Sequence, residues 1–285
     1  MLLSSTIQLL RFHFSLFLLP VFLFGLSQVH HPDWNAAALI FFILHLMVYP
    51  ASNGYNSYMD RDTTPIGGLA SPQQPTQQLL YTTIVMDGLA LVLSFLISSV
   101  FALGILLYIM ASRAYSNRGI RLKRYPLIGF LTVFLFQGAL VFWLTYHGVA
   151  SENPLTVPLL PCVISSCLIG ALYPLTQIYQ HDEDKLDGVV SISMLLGKRG
   201  TFIFSGAFFL LSACLLFIWF RQGNEFNLFY LFLLVTLPSV VYFLYWMRSV
   251  YLHESAADFK NSLRMNLVAT FCTVAYFTTL IILKH

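Results

Sequence analysis

The chain has 285 residues, of which 58% are hydrophobic and 9% charged, far short of the roughly 25% charge of a soluble domain. Fifteen Lys+Arg and twelve Asp+Glu cannot cover a folded surface in water, and the excess of apolar residues excludes a disordered chain. Helix-length apolar runs select a helical membrane protein over a β-barrel, and a net charge of +3 divided among several loops argues against nucleic-acid binding.

In chain order, the apolar runs predict spans near 7–28, 36–53, 76–97, 99–113, 126–147, 155–178, 201–221, 226–248 and 263–283. The first run is longer than a signal-peptide core and lacks a basic n-region and a cleavage site, so it is expected to be a retained span. The stretch 76–113 is too long for one span, because helix at about 1.5 Å per residue would far exceed a hydrocarbon core of about 30 Å. Its break is expected at Ser98-Ser99. The cysteines Cys162, Cys167, Cys214 and Cys272 all lie in apolar stretches without a CxxC or CxxH spacing, which argues against a disulfide framework or a zinc site.

Charge sets the orientation. With nine spans and a cytoplasmic N-terminus, the inner loops hold Arg61, Arg113, Arg118, Arg121, Lys123, Arg124, Lys185, Lys198, Arg199, Arg248 and Lys260, while the outer side keeps Arg221 and Lys284. That distribution satisfies the positive-inside rule; a single span over 76–113 would move five basic residues outside. The expected fold is an all-α polytopic membrane protein with one transmembrane domain over 1–285. It is read as two pseudo-repeated four-helix halves plus a final helix, lying in the inner membrane if the source is bacterial. The longer loops are all on the inner side, where binding chemistry is expected.

The few acids concentrate there. Six of the twelve are Asp60 and Asp62, after the second span, and Asp182, Glu183, Asp184 and Asp187, after the sixth. Four spans separate the two clusters, so both face the same side of the membrane and are able to converge. Asn56 and Asp60 are i,i+4 neighbours on a helix, Asn53 lies one turn back, and Gln180 and Asp184 repeat the spacing. Two helix ends that each offer two or three oxygens suit hard divalent cations such as Mg²⁺, which takes one or two carboxylates with phosphate and water. Ionisable groups at the edge of a low-dielectric medium are expensive and tend to be functional.

The run Asn56-Ser-Tyr-Met-Asp60-Arg-Asp62 resembles the first half of the NxxxDxxxD motif of the UbiA superfamily of intramembrane prenyltransferases. Asp184-Lys-Leu-Asp-Gly188 with Leu195-Leu-Gly-Lys-Arg-Gly200 resembles that family's second acidic motif and the segment after it. Tyr115-Ser116 with Arg121-Leu-Lys123 resembles its diphosphate-holding inner loop. Thr64 and Gln180 stand where two motif aspartates would fall, which marks the chain as a divergent member.

The resemblance implies transfer of an isoprenoid chain from a prenyl diphosphate to a lipophilic, aromatic acceptor in the bilayer, assisted by Mg²⁺. It assigns Asp60 and Asp184 as catalytic, and Asn56, Asp60, Asp62, Asp182 and Asp184 as metal ligands. Arg118, Arg121, Lys123 and Lys185 would clamp diphosphate, with Asn53, Gln180, His181 and Glu183 as further contacts. Ordinary positive-inside topology also accounts for the basic loop 113–125. The rival readings are a membrane terpene cyclase of the same superfamily, a non-catalytic relative and a transporter. Asp87, inside the third span, is expected to deprotonate an acceptor, to pair with a neighbour or to sit nearer the interface, and His45 is expected to be a hydrogen-bonded structural residue.

Overall fold

The computed structural model describes residues 1–285. Its long helices are α1 (Ser4–Ser27), α2 (Trp34–Asp60), α3 (Gln77–Ser94), α4 (Ser99–Ser116), α5 (Pro126–Val149) and α6 (Leu159–Gln177). A short helix α7 (His181–Leu186) leads into α8 (Ile192–Gln222), α9 (Phe226–Leu252) and α10 (Phe259–Lys284). Eight of these are long and apolar enough to cross a membrane. The ninth rod, α3, falls short because Gln, Thr and Asp87 dilute its 18 residues. The break at Ser98 is real, and its hydroxyl caps α4 by accepting from Phe101 N at 2.9 Å.

Other helix starts are set in the same way. The Asp33 carboxylate accepts from Asn35 N and Ala36 N to begin α2, and Asp258 accepts from Asn261 N to begin α10. Four helices are irregular. α1 breaks at Arg11, which sits in the left-handed region at φ 48, before a tight 3-10 segment Phe12–Leu18. Wider π turns occupy Phe42–Val48 in α2 and Phe134–Leu140 in α5. In α8, Gly197 (φ 69, ψ 167) separates a first turn from the long rod, a conformation essentially restricted to glycine.

The end of the bundle away from the loop 61–76 is a continuous core built around Phe24, Phe142, Phe232, Tyr276 and Phe277, drawn from α1, α5, α9 and α10. Helix α9 is the most peripheral, with 17% of its apolar window buried. At the opposite end the loop 61–76 is strapped to α1: Gln8 bonds Ser71 O and Gln73 N, Arg11 donates to Gly67 O, and His13 meets Gly68 O at 2.9 Å. Beneath that strap lies the cavity that concentrates the chemistry.

Candidate functional site

Helix α2 runs straight through residues 49–60, so Asn53, Asn56 and Asp60 share the face that the i,i+4 spacing predicts, and all three line one cavity. The helix stops because Arg61 turns into the left-handed region at φ 56. From the opposite wall, Gln180 and Asp184 at the start of α7 face the same space, with Asp62 from the strap and Lys123 from the loop between α4 and α5. The cavity has a volume of about 230 Å³.

Asp60 is the centre of this mouth, with only 4% of its side chain exposed. Its Oδ2 accepts from Asn56 Nδ2 at 2.7 Å and from Lys123 Nζ at 2.5 Å. Asn56 also donates to Ser116 Oγ at 3.1 Å, which ties α2 to the end of α4. Arg121 lies 3.5 Å from Asp60 Oδ1 and bonds the Asp187 carboxylate directly. Asp187 in turn holds Arg118 at 3.5 Å, and Arg118 Nε donates to Met59 O at 2.7 Å. Glu183 accepts from Thr63 N at 3.4 Å, a direct tie between the two acidic segments.

Crowding of carboxylates has an electrostatic signature. Burial, reinforced by the neighbouring Asp60 charge, pushes the Asp62 carboxyl up to about 6. Burial likewise raises Asp184 to about 6, with Lys123 opposing and Asp60 adding to the shift. No three carboxylates or histidines stand close enough to chelate an ion by themselves. Asp60 Oδ1 is nevertheless buried without a hydrogen-bond partner, and hard oxygens from Asn56, Asp62, Gln180 and Asp184 face the same volume. Such a donor set fits Mg²⁺ shared with phosphate oxygens, an ion that takes few protein carboxylates.

The structure does not bring every expected residue to this mouth. Asp182 and Lys185 are exposed on the outer face of α7 and line no part of the cavity. His181 turns away to bond Ser193 Oγ at 2.8 Å, and burial lowers its basicity. Arg118, Arg121 and Glu183 are also outside the lining; Arg118 bonds Met59 and Asp187, Arg121 stands behind Asp60 on Asp187, and Glu183 is tied to Thr63. Asp87 pairs with Arg113 of α4, away from the cavity, and His45 bonds Ser15 O at 3.1 Å.

Two participants received no role from the sequence. Asp187 anchors the arginines. Arg11, 5% exposed, lines the cavity with no carboxylate within ion-pair range; it donates to Asn53 O at 3.1 Å and Gly67 O, and its Nε is buried without a partner. A lone arginine inside the first apolar run was the available signal, since such a charge is costly in a membrane.

Above the mouth the lining becomes aromatic. Tyr115 and Tyr173 join their hydroxyls, Gln177 Nε2 donates to Tyr173 at 2.9 Å, and Phe14, Phe17, Phe136, Tyr49 and Tyr108 continue the wall.

Comparison with known proteins places this arrangement. The family model described as the UbiA prenyltransferase family matches residues 16–268. A UbiA homologue from Archaeoglobus fulgidus bound to DMAPP and Mg²⁺ superposes with a TM-score of 0.70 at 18% identity, covering 98% of this chain and 99% of that one. The apo UbiA homologue from Aeropyrum pernix K1 gives 0.70 at 18% identity, over 94% and 98%. A digeranylgeranylglyceryl phosphate synthase gives 0.62 at 17% identity, over 98% of both chains. At these identities the likeness is one of fold. Among curated proteins no match to this sequence is found.

Proposed function

The chain belongs to the UbiA prenyltransferase family, and on that premise we propose that it transfers an isoprenoid chain from a prenyl diphosphate to a lipophilic acceptor within the bilayer, with Mg²⁺ as cofactor. The observation that carries this reading is the polarity gradient of one cavity: acids and cations at its inner mouth, aromatic rings above them. The Archaeoglobus homologue, which binds DMAPP and Mg²⁺, supports the same assignment.

In this reading Asn56, Asp60, Asp62 and Asp184 hold Mg²⁺, with Asn53 and Gln180 beside them. Bound there, the ion would supply Lewis-acid stabilisation of the departing diphosphate. Lys123 and Arg121, preorganised on Asp60 and Asp187, present positive charge where the leaving group gains negative charge in the transition state. Arg11 offers a third cation whose desolvation no carboxylate offsets, and an anionic ligand would do so. Asp187 and Arg118 hold this clamp in place. The ring faces of Tyr115 and Tyr173 border the region where an allylic cation would form, and each such contact contributes about 0.5–2 kcal/mol. Burial under the strap keeps water from capturing that cation.

Transport is the weaker reading. Beyond the cavity the bundle is packed by Phe24, Phe142, Tyr276 and Phe277, and the acids stand at helix ends on one face instead of at broken helices in the midplane.

The direct test incubates purified protein in detergent with Mg²⁺ and geranyl diphosphate, measuring released diphosphate and extracting the lipid products. Released diphosphate with a prenylated acceptor is expected, and Asp60→Ala and Asp184→Ala should each lower turnover by about 100-fold or more. A cyclised hydrocarbon would favour the cyclase, and wild-type turnover in both variants would overturn the assignment.

A further inference from the structure

The far end of the cavity carries polar groups that the diphosphate chemistry does not use. Tyr49, 2% exposed, lines the cavity, and its hydroxyl is buried without a hydrogen-bond partner. Its ring packs on Tyr108 at 5.8 Å, and the Gln137 amide faces the Tyr108 hydroxyl. All three side chains line the same end. The backbone here is irregular from both sides: Tyr49 directly follows the π turn of α2, and Gln137 lies within the π turn of α5. Such turns cluster at functional sites because they re-aim a side chain at the expense of a regular helix bond. The α5 turn is itself braced by Ser166, which donates to Phe134 O and accepts from Ala139 N. Asp60 and Tyr49 are eleven residues apart on α2, about 16 Å along the axis, which puts this polar end beyond the reach of a diphosphate group held at the acidic mouth.

We propose that Tyr49, Tyr108 and Gln137 form a second recognition site, which binds a hydroxyl or carbonyl oxygen on the ring of the acceptor. The inference rests on the prenyl-transfer reading for the word acceptor, and its geometry stands without it. A prenyl tail laid against these groups would leave the Tyr49 hydroxyl desolvated and unpaired, whereas a ligand oxygen satisfies it. The reacting carbon of the acceptor must approach the donor within about 3.5 Å, near the mouth. The oxygen recognised at the far end therefore sits across the ring from the position that is prenylated. The ring spans only the inner part of the distance to Asp60, and the donor's diphosphate with its first carbon spans the rest.

The test uses two probes of equal shape, 2-naphthol and 2-methylnaphthalene, with equilibrium binding measured in detergent and corrected for partition into protein-free micelles. Geranyl diphosphate with Mg²⁺ is titrated in parallel. Tyr49→Phe removes only an unpaired hydroxyl, so the fold is retained, and Gln137→Leu provides an independent second variant. Wild type should prefer the naphthol by about tenfold, the value of one buried hydrogen bond. Both variants should reduce that preference below about twofold while holding geranyl diphosphate with affinity within about twofold of wild type. Equal binding of the two probes by wild type, or an unchanged preference in both variants, overturns the proposal. Tighter geranyl diphosphate binding by Tyr49→Phe also overturns it, since that result assigns the far end to the donor tail. If the naphthol preference holds and wild type fails to bind geranyl diphosphate, the second site stands and the transfer reading falls.

Discussion

Asp62 and Asp184 border one mouth with Asp60, and burial plus the Asp60 charge raise both carboxyls from the usual 3.8 to about 6. Between those values the folded protein retains protons that the unfolded chain has released, so the ion-free fold loses stability as pH rises through that window. A divalent ion binds the deprotonated forms and reverses the sign, because it must displace whatever protons remain. The gain in thermal stability on adding Mg²⁺ should therefore be small at about pH 5 and full at about pH 7.5, with a midpoint near 6. Melting curves in detergent at several pH values check this; a gain independent of pH would mean that these carboxylates are not the ligands. The same crowding explains why Lys123 and Arg121 lean on Asp60, since each cation relieves the repulsion that a metal would otherwise relieve.

At the scale of the helix, hydropathy located the rods and missed their polar ends. α2 was expected to stop at 53 and continues to Asp60; α8 was expected to begin at 201 and begins at Ile192, with Gly197 breaking it. The extra turns of α2 carry Gly54, Asn56, Ser57 and Asp60, and those of α8 carry Ser193, Gly197, Lys198, Arg199 and Gly200, which dilute the apolar signal. The split of 76–113 was legible because length alone forbade one span. What holds the resulting hairpin was not: Arg113 reaches from α4 to Asp87, donates to Thr83 Oγ1 at 3.2 Å, and stacks over the Tyr55 ring at 4.0 Å. Breaking a largely buried pair leaves an uncompensated charge, which costs about 3–5 kcal/mol, whereas replacing both partners by apolar residues is close to neutral. Asp87→Leu should thus lower the melting temperature markedly, and adding Arg113→Leu should restore most of the loss. A double variant no better than the single one would show that Arg113 acts through Thr83 and Tyr55 instead of through the ion pair.

For the molecule as a whole, the site was legible where its residues share a helix face and illegible where tertiary approach chose the partner. Asn56 with Asp60 and Gln180 with Asp184 were readable from i,i+4 spacing, and all four line the cavity. Lys185 sits between acids in sequence yet points to solvent, while Arg11 arrives from 45 residues before Asn56 through the break in α1. Neither fact has a sequence period. Orientation in the membrane is the remaining whole-molecule property, and it follows from charge: a water-soluble diphosphate must reach the mouth from the aqueous side that the basic loops face. By the positive-inside rule, the eleven Lys/Arg of those loops predict that this side faces the cytoplasm. Lys185 and Glu152 are both exposed and lie on opposite faces, one beside the acidic mouth and the other between α5 and α6. In a background without the four native cysteines, Glu152→Cys should react with a membrane-impermeant maleimide on intact cells, and Lys185→Cys only after permeabilisation. The reverse pattern would turn the mouth outward, and the donor would then have to be supplied from outside the cell, against the charge distribution that every inner loop carries.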